Sequence, residues 1–357
     1  MAKMKDLFKQ MVEKDASDLI LRAGSQCWMR IHSRLEKVGE QVLSVEDLMR
    51  MVNEIINDEQ RKQFNKTRNV DFAVYFEDLG RFRASLFVQR NSPAIVVRRV
   101  RRDLQTFEEL NLPADILKKL SLEKRGMVFL TGAAGSGKST TIASMIEHMN
   151  QNISRHVITL EEPIEFTFED KRSIINQREL GLDVDSYADA LKHFTYQSPD
   201  VIFIGNIRDL ETMSAALTAA ETGVLVLSTL HTVNAAQTIE RIINFFPPHQ
   251  HLEVRVQLSM LLKGVISLRL IPRKDRPGCI PAYETMLLTP TISRLIREGK
   301  IWEITSFLYE GEIFGMQTFR QSIVKLIRND SITIEDGMEF CDNKDELELD
   351  LKGIKRL

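Results

Sequence analysis

Apolar residues recur along the first hundred positions with two periods, and the change of period separates the elements. In MKDLFKQMVEK, Leu7, Phe8, Met11 and Val12 fall on one face at helical spacing. Ser44 opens a second helix, SVEDLMRMVNEII, with Asp47 three residues on in the position of a capping box, where Glu or Gln is more usual. Leu48, Met51, Val52, Ile55 and Ile56 form its apolar stripe. From Val70 the period falls to two. Val70, Phe72, Val74 and Phe76 alternate with Asp71, Ala73 and Tyr75, and GRFRASLFVQ continues with Phe82, Ala84, Leu86 and Val88 inward. AIVV (94–97) makes a third strand. These elements predict a small α+β domain over residues 1–100.

Beyond RRVRRD (98–103) the texture changes. That basic run reads either as a solvated linker or as arginines that face a phosphate. Short apolar runs then alternate with helical patterns: MVFLT (127–131), HVITL (156–160), VIFIG (201–205) and VLVLST (224–229). Strands separated by helices imply parallel βαβ units. From about residue 249 the pattern reads as helical almost to the end, so a second domain is expected over 101–357. The tail DNKDELELDLKGIKRL is charged, and partial mobility is expected there.

Composition adds bounds. The chain has 357 residues, 43% hydrophobic and 27% charged, a globular profile with enough apolar surface for a large core. Net charge is −2, so nothing global favours nucleic acid as a partner. Cys27, Cys279 and Cys341 are scattered without C-x-x-C spacing, which argues against a zinc ribbon or redox motif and fits a reducing compartment. MAKMKDLFKQ has no apolar signal core, and no window approaches the roughly 18 apolar residues of a membrane span. A cytoplasmic location is the expectation.

The chemistry concentrates in GAAGSGKS (132–139), which matches G-x-x-x-x-G-K-[ST] between a strand and a helix. Gly132, Gly135 and Gly137 let the backbone turn tightly so that its N–H groups face phosphate oxygens, and the helix N-terminus adds its dipole. Lys138 reaches the β- and γ-phosphates and Ser139 ligates Mg²⁺. The nucleotide-binding stretch is thus Gly132, Ala133, Ala134, Gly135, Ser136, Gly137, Lys138, Ser139 and Thr140. The following helix carries Ile142, Met145, Ile146 and Met149 on one face. One strand further on, Glu161, Glu162 and Glu165 end a strand expected beside the P-loop strand. They read as water- or metal-directing acids or as an acidic turn closed by Pro163. His231 follows a strand that could flank the P-loop strand; it is either structural or a γ-phosphate sensor. Arg81 and Arg83 share the face opposite the phenylalanine stripe. VIFIGNIRD places Asn206 where a carboxylate is expected, and Asp209 reads as a helix cap.

Together these blocks resemble the type IV pilus retraction ATPases, the PilT/PilU family of RecA-like secretion motors, over nearly the whole chain. ASDLILRAG (16–24), GRFRASLFVQR, GAAGSGKSTT, ITLEEPIEF, INQRELGLD, SPDVIFIG with IRDLET, STLHTVNAAQTIERIINFFP, LLTPTISRLI and GMQTF each look like a family block. NFFP and CDNKDELELDL look closer to the PilU branch. The resemblance implies a RecA-like P-loop core with a PAS-like N-terminal domain, ATP and Mg²⁺, and a homohexameric ring. It implies arginines that approach the γ-phosphate, here Arg83 and Arg98. Glu161 falls on the water-activating glutamate and His231 on the histidine of the "His box". It also implies action at the inner face of the cytoplasmic membrane, with an inner-membrane pilus platform protein and a paralogous retraction ATPase as partners. Four positions depart from the family pattern. Asn206 stands for the glutamate that holds Mg²⁺ through water, Glu162 for Asp, Tyr196 for Arg and Ser293 for Arg. Two readings follow: a retraction motor, or an ATP-binding accessory ring subunit with little hydrolysis of its own. An extension or type II secretion ATPase ranks lower, since the chain lacks the four-cysteine zinc motif and longer N-terminal region usual there. A DNA translocase ranks lower still on charge.

Overall fold

The structure is a computed structural model that describes residues 3–31, 34–100, 104–194 and 196–353. The last three residues of the basic run, 101–103, and the last four of the tail, 354–357, lie outside the described residues. The chain forms two compact units, Met1–Asp103 with Glu165–Thr167, and Leu104–Ile164 with Phe168–Leu357.

The first unit runs α1 (Met4–Glu13), β1 (Ala16–Arg22), β2 (Cys27–Ile31), β3 (Arg34–Val38), α2 (Val45–Asn53), α3 (Asp58–Thr67), β4 (Asn69–Phe76), β5 (Gly80–Gln89) and β6 (Ser92–Arg99). Its strands form one antiparallel sheet in the order β3-β2-β1-β6-β5-β4. One face of the sheet is apolar because the alternation places Val70, Phe72, Val74, Phe82, Ala84 and Leu86 on the same side. Helix α1 covers that face with Met4, Leu7, Phe8 and Met11, and the Phe8 and Phe82 rings stack with centroids 4.6 Å apart. The capping box is present: Ser44 Oγ accepts from Asp47 N at 3.0 Å, and Asp47 Oδ2 accepts from Ser44 N. Val12, Ile55, Phe76 and Val88 are half-buried at the edge of the core. Arg98 and Arg99 lie within β6, so this part of the basic run is strand and not linker.

The second unit runs α4 (Ala114–Ser121), β7 (Gly126–Thr131), α5 (Lys138–Asn152), β8 (His156–Glu161), β9 (Ile174–Glu179), α6 (Tyr187–Phe194), β10 (Val201–Ile204), α7 (Leu210–Glu221), β11 (Leu225–Leu230), α8 (Ala235–Asn244), α9 (His251–Leu261), β12 (Leu262–Pro272), β13 (Cys279–Leu287), α10 (Pro290–Glu298), α11 (Ile304–Glu310), α12 (Phe319–Arg328), α13 (Ile334–Phe340) and α14 (Lys344–Leu351). Its sheet has the order β13-β12-β7-β11-β10-β8-β9, parallel throughout except for the antiparallel edge strand β13. Strands β7, β10 and β11 are buried on both faces. Met127 and Phe129 pack into one core, while Val128 and Leu130 pack into the other with Ile142, Met145, Ile146 and Met149 of α5.

Three expectations change. Helix α9 follows the expectation, but residues 262–287 then form the long hairpin β12–β13 and are not helical; helices resume at Pro290. The run Val265, Ile266, Ser267, Leu268 is buried without a break, and such a run has no period that separates strand from helix. Next, β8 is not beside β7: β11 and β10 lie between them. The crossover helix α5 is about 22 Å long at 1.5 Å per residue, enough to carry the chain past two strands spaced about 4.8 Å apart. Finally, 344–351 of the charged tail is a helix with Leu347 buried and Arg320 paired with Glu346 and Asp350.

Candidate functional site

In a parallel sheet the strands present their carboxyl ends along one edge, and loops there collect chemistry. Here that edge holds Gly132 after β7, Glu161 at the end of β8, Asn206 after β10 and His231 after β11.

The loop between β7 and α5 is built by its glycines. Gly132 has φ 139°, and a Cβ there would meet the Leu268 carbonyl oxygen at 2.5 Å, so only glycine fits between the loop and β12. Gly135 and Gly137 also have positive φ, 77° and 97°. Lys138 is buried, and its Nζ donates to the carbonyls of Gly132 at 2.8 Å and Ala133 at 2.7 Å, which draws the loop around the ammonium. Ala133, Ala134 and Gly135 form the exposed lip; Ser139 and Thr140 are half-buried on the first turn of α5. Thr141 and Ser144 bond back to the carbonyls of Gly137 and Thr140, anchoring that turn.

The residues present fit a phosphate chain. Gly137 caps α5 without a side chain, so the helix N-terminal N–H groups have no side-chain cap. Ser136 Oγ is buried with no hydrogen-bond partner among the described residues. An orphan hydroxyl, an uncapped helix start and an enclosed ammonium are the donor set that a polyphosphate satisfies.

Glu161 is buried, and its Oε1 accepts from Thr159 Oγ1 at 2.6 Å and Gln177 Nε2 at 3.2 Å. Glu162 pairs with Arg208 at 3.1 Å. The end of β10 is tied on both sides: Gly205 N donates to the Leu160 carbonyl at 2.8 Å, and Thr229 Oγ1 donates to the Gly205 carbonyl at 2.5 Å. These bonds bring Asn206 beside the end of β8. The Asn206 side chain is half-buried and makes no hydrogen bond within the described residues. Asp209 is a cap, its Oδ1 accepting from Thr212 N at 2.8 Å. Strand β11 pairs with β7, so His231 leaves the sheet next to the P-loop. Desolvation, then the positive charges of Lys138 and Arg208, hold its imidazole below the usual histidine range, with the Gly132 backbone acting the other way.

Arg83 and Arg98 belong to the first unit, directly opposite each other across β5 and β6. Arg98 Nε donates to Asp18 Oδ1 at 2.9 Å, and Arg30 Nε lies 3.2 Å from Asp18 Oδ2. Burial pushes the Asp18 carboxyl up, but the hydrogen bonds from Arg98 and Ser17 and both arginine charges outweigh it and leave the group below its ordinary value. Sequence pattern did not reveal this clamp, because its members are brought together only by the pairing of β1 with β2 and β6. Tyr187 is a second residue it missed: the phenol oxygen is buried beside Gly205 with no partner among the described residues. Of the other departures, Ser293 Oγ donates to the Ser259 carbonyl at 2.6 Å, linking α10 to α9, and Tyr196 is exposed.

A profile of the family described as type II/IV secretion system protein matches residues 2–282. The type IV pilus ATPase PilU of Pseudomonas aeruginosa is 42% identical over 346 residues, covering 97% of this chain and 90% of that protein. The type IV pilus retraction ATPase PilT of the same organism is 38% identical over 327 residues, covering 92% and 94%. A crystal structure of the pilus retraction motor PilT with bound ADP matches with a TM-score of 0.91 at 40% identity, over 98% of this chain and 99% of that one. On the P-loop geometry, the sheet order and these relatives together, the chain belongs to the type II/IV secretion system protein family, among its type IV pilus retraction ATPases.

Proposed function

We propose that this chain is an ATP-driven motor that powers type IV pilus retraction, and that the formed P-loop around Lys138 is the observation that carries the reading. The loop from Gly132 to Gly137, with Lys138, Ser139 and Thr140, holds the phosphates of ATP; the Ser139 hydroxyl and the Asn206 amide oxygen are the groups that hold Mg²⁺, the latter through water. Mg²⁺ there supplies charge neutralisation on the phosphates. Glu161, fixed by Thr159 and Gln177, orients water for in-line attack on the γ-phosphorus and takes its proton as the bond to the β–γ bridging oxygen breaks. His231 lies on the neighbouring strand end and reports on the γ-phosphate. Arg83 and Arg98 stabilise the charge of the transferring group, with Asp18 holding Arg98 by its Nε. The family relationship supports a homohexameric ring at the inner face of the cytoplasmic membrane, acting on the inner-membrane pilus platform protein beside a paralogous retraction ATPase.

Asn206 favours a second reading, an accessory ring subunit that binds ATP and assists the paralogue. An amide in place of a carboxylate near a metal typically lowers affinity or activity about 10–100-fold. ATPase assays on the purified full chain separate the two. A self-sufficient motor turns over above background, loses that activity in Lys138→Ala and Glu161→Gln, and gains rate in Asn206→Glu. Wild type at background with an active Asn206→Glu would establish the accessory role.

A further inference from the structure

One polar group at the carboxyl edge of the second sheet is unused by the assignments above. Tyr187 opens α6, and its position is fixed by the turn before it: Ser186 Oγ accepts from Asp189 N at 3.1 Å and donates to Asp189 Oδ2 at 2.9 Å. The ring packs against the core beneath the sheet edge. The phenol oxygen lies 3.6 Å from the point where a Cβ on Gly205 would stand, and that same point is 3.3 Å from the Glu161 Cα. The hydroxyl is therefore aimed at the junction of β8 and β10, the residue before Asn206. It is buried and has no partner among the described residues. A buried hydroxyl without a partner costs stability, and Phe would fill the same space without that cost. Burial, and then the negative charge of Glu162, hold the phenol well above its ordinary pKa, so at neutral pH it is a hydrogen-bond donor facing carboxylates.

We propose that Tyr187 is a positioning residue of the nucleotide site: its hydroxyl donates to a water bound between Glu161 and Asn206, supplying orientation that the neutral amide of Asn206 does not. The proposal rests on the reading of Glu161 as the residue that directs water. It explains how the end of β10 works without a carboxylate, since a fixed donor takes one lone pair of the water and leaves the other lone pair and both hydrogens for the site.

Tyr187→Phe in the full chain tests this with two readouts besides turnover. The first is ADP affinity by calorimetry, with and without Mg²⁺. The gain in affinity on adding Mg²⁺ is expected to fall about tenfold, in the range for groups one shell from a metal, while the Mg²⁺-free affinity stays unchanged. The second is the melting temperature of the nucleotide-free protein, which is not lowered because no hydrogen bond within the protein is lost. The effect of Tyr187→Phe on the Mg²⁺-dependent gain shrinks when Asn206→Glu is also present. A wild-type gain in Tyr187→Phe overturns the proposal. So does a lowered melting temperature with equal losses in both affinities, which would mark a packing role. Glu161→Gln read in the same assays keeps the parent reading separate: wild-type turnover there removes Glu161 as the water-directing group, whatever Tyr187→Phe does to the Mg²⁺-dependent gain.

Discussion

Glu284 carries the least expected charge in the second unit. It is 5% exposed on β13, and its Oε1 accepts from the N–H of Ala235, the first residue of α8, at 2.8 Å. Burial pushes the carboxyl up to about 7; the Ala235 N–H and the Arg269 charge pull it down, and Asp342 pushes it up. An unfolded glutamate titrates near 4.5. The folded state therefore holds its proton over a window in which the unfolded state has lost it. The stability that belongs to the neutral form is complete below about pH 4.5 and is lost as pH rises through 7. Glu284→Gln removes this dependence while keeping an acceptor for Ala235. It is expected to leave stability at pH 4 nearly unchanged and to raise it at pH 8 by up to roughly 3 kcal/mol, at about 1.4 kcal/mol per pKa unit. Urea midpoints at the two pH values check this, and a variant no more stable than wild type at pH 8 would falsify it. Neither Glu284 nor Tyr187 is legible in the sequence. The partner of Glu284 is 49 residues away, and the surroundings of Tyr187 come from the ends of β8 and β10. The P-loop is legible because a phosphate chain is wrapped by consecutive residues, and the chemistry of that wrapping dictates glycines and a lysine at fixed offsets.

Local rules succeed at the element scale where the element answers to itself. The α2 cap is one case: Ser44 and Asp47 exchange hydrogen bonds three residues apart, and the apolar stripe behind them is buried as its spacing requires. Ser44→Ala removes one acceptor and exposes the Asp47 N–H to competition from water. It is expected to cost about 1 kcal/mol, seen as a lower denaturant midpoint with an unchanged m-value. A loss within error would mean that the backbone turn holds α2 without its cap. The rules fail where an element answers to its neighbours. Strand β12 pairs with β7 on one side and β13 on the other, and it is buried on both faces. Its residues therefore show neither a period of two nor a helical stripe. Strand β9 and helix α3 show the opposite case: each buries a single residue, Glu179 in β9 and Phe64 in α3, so neither carries an apolar period. The tail helix α14 shows the same dependence, since its charges look solvated until Arg320 is placed between Glu346 and Asp350.

Across the whole molecule, the parallel sheet of the second unit turns a dispersed set of residues into a site. Residues from 132 to 231 reach one edge because each strand of the set β7, β8, β10 and β11 ends there, and each crossover returns the chain to the opposite edge. Which residues end strands was readable from the apolar runs that stop at them. The order of the strands was not, because a crossover helix long enough to pass two strands leaves no trace of how many it passed. The same architecture makes nucleotide binding a stability term. The P-loop spans the β7–α5 junction, joining an interior strand to the helix that covers one core, so a ligand that binds only the folded loop stabilises that core by mass action. At an ADP concentration 100 times its Kd, the gain is about 2.7 kcal/mol. Lys138→Ala loses the ammonium that gathers the Gly132 and Ala133 carbonyls and that is proposed to meet the phosphates. It is expected to lose nearly all of the ADP-dependent rise in melting temperature at the same nucleotide concentration. Thermal melts of both proteins with and without Mg²⁺–ADP make the comparison, and an equal shift in the variant would place the nucleotide outside this loop.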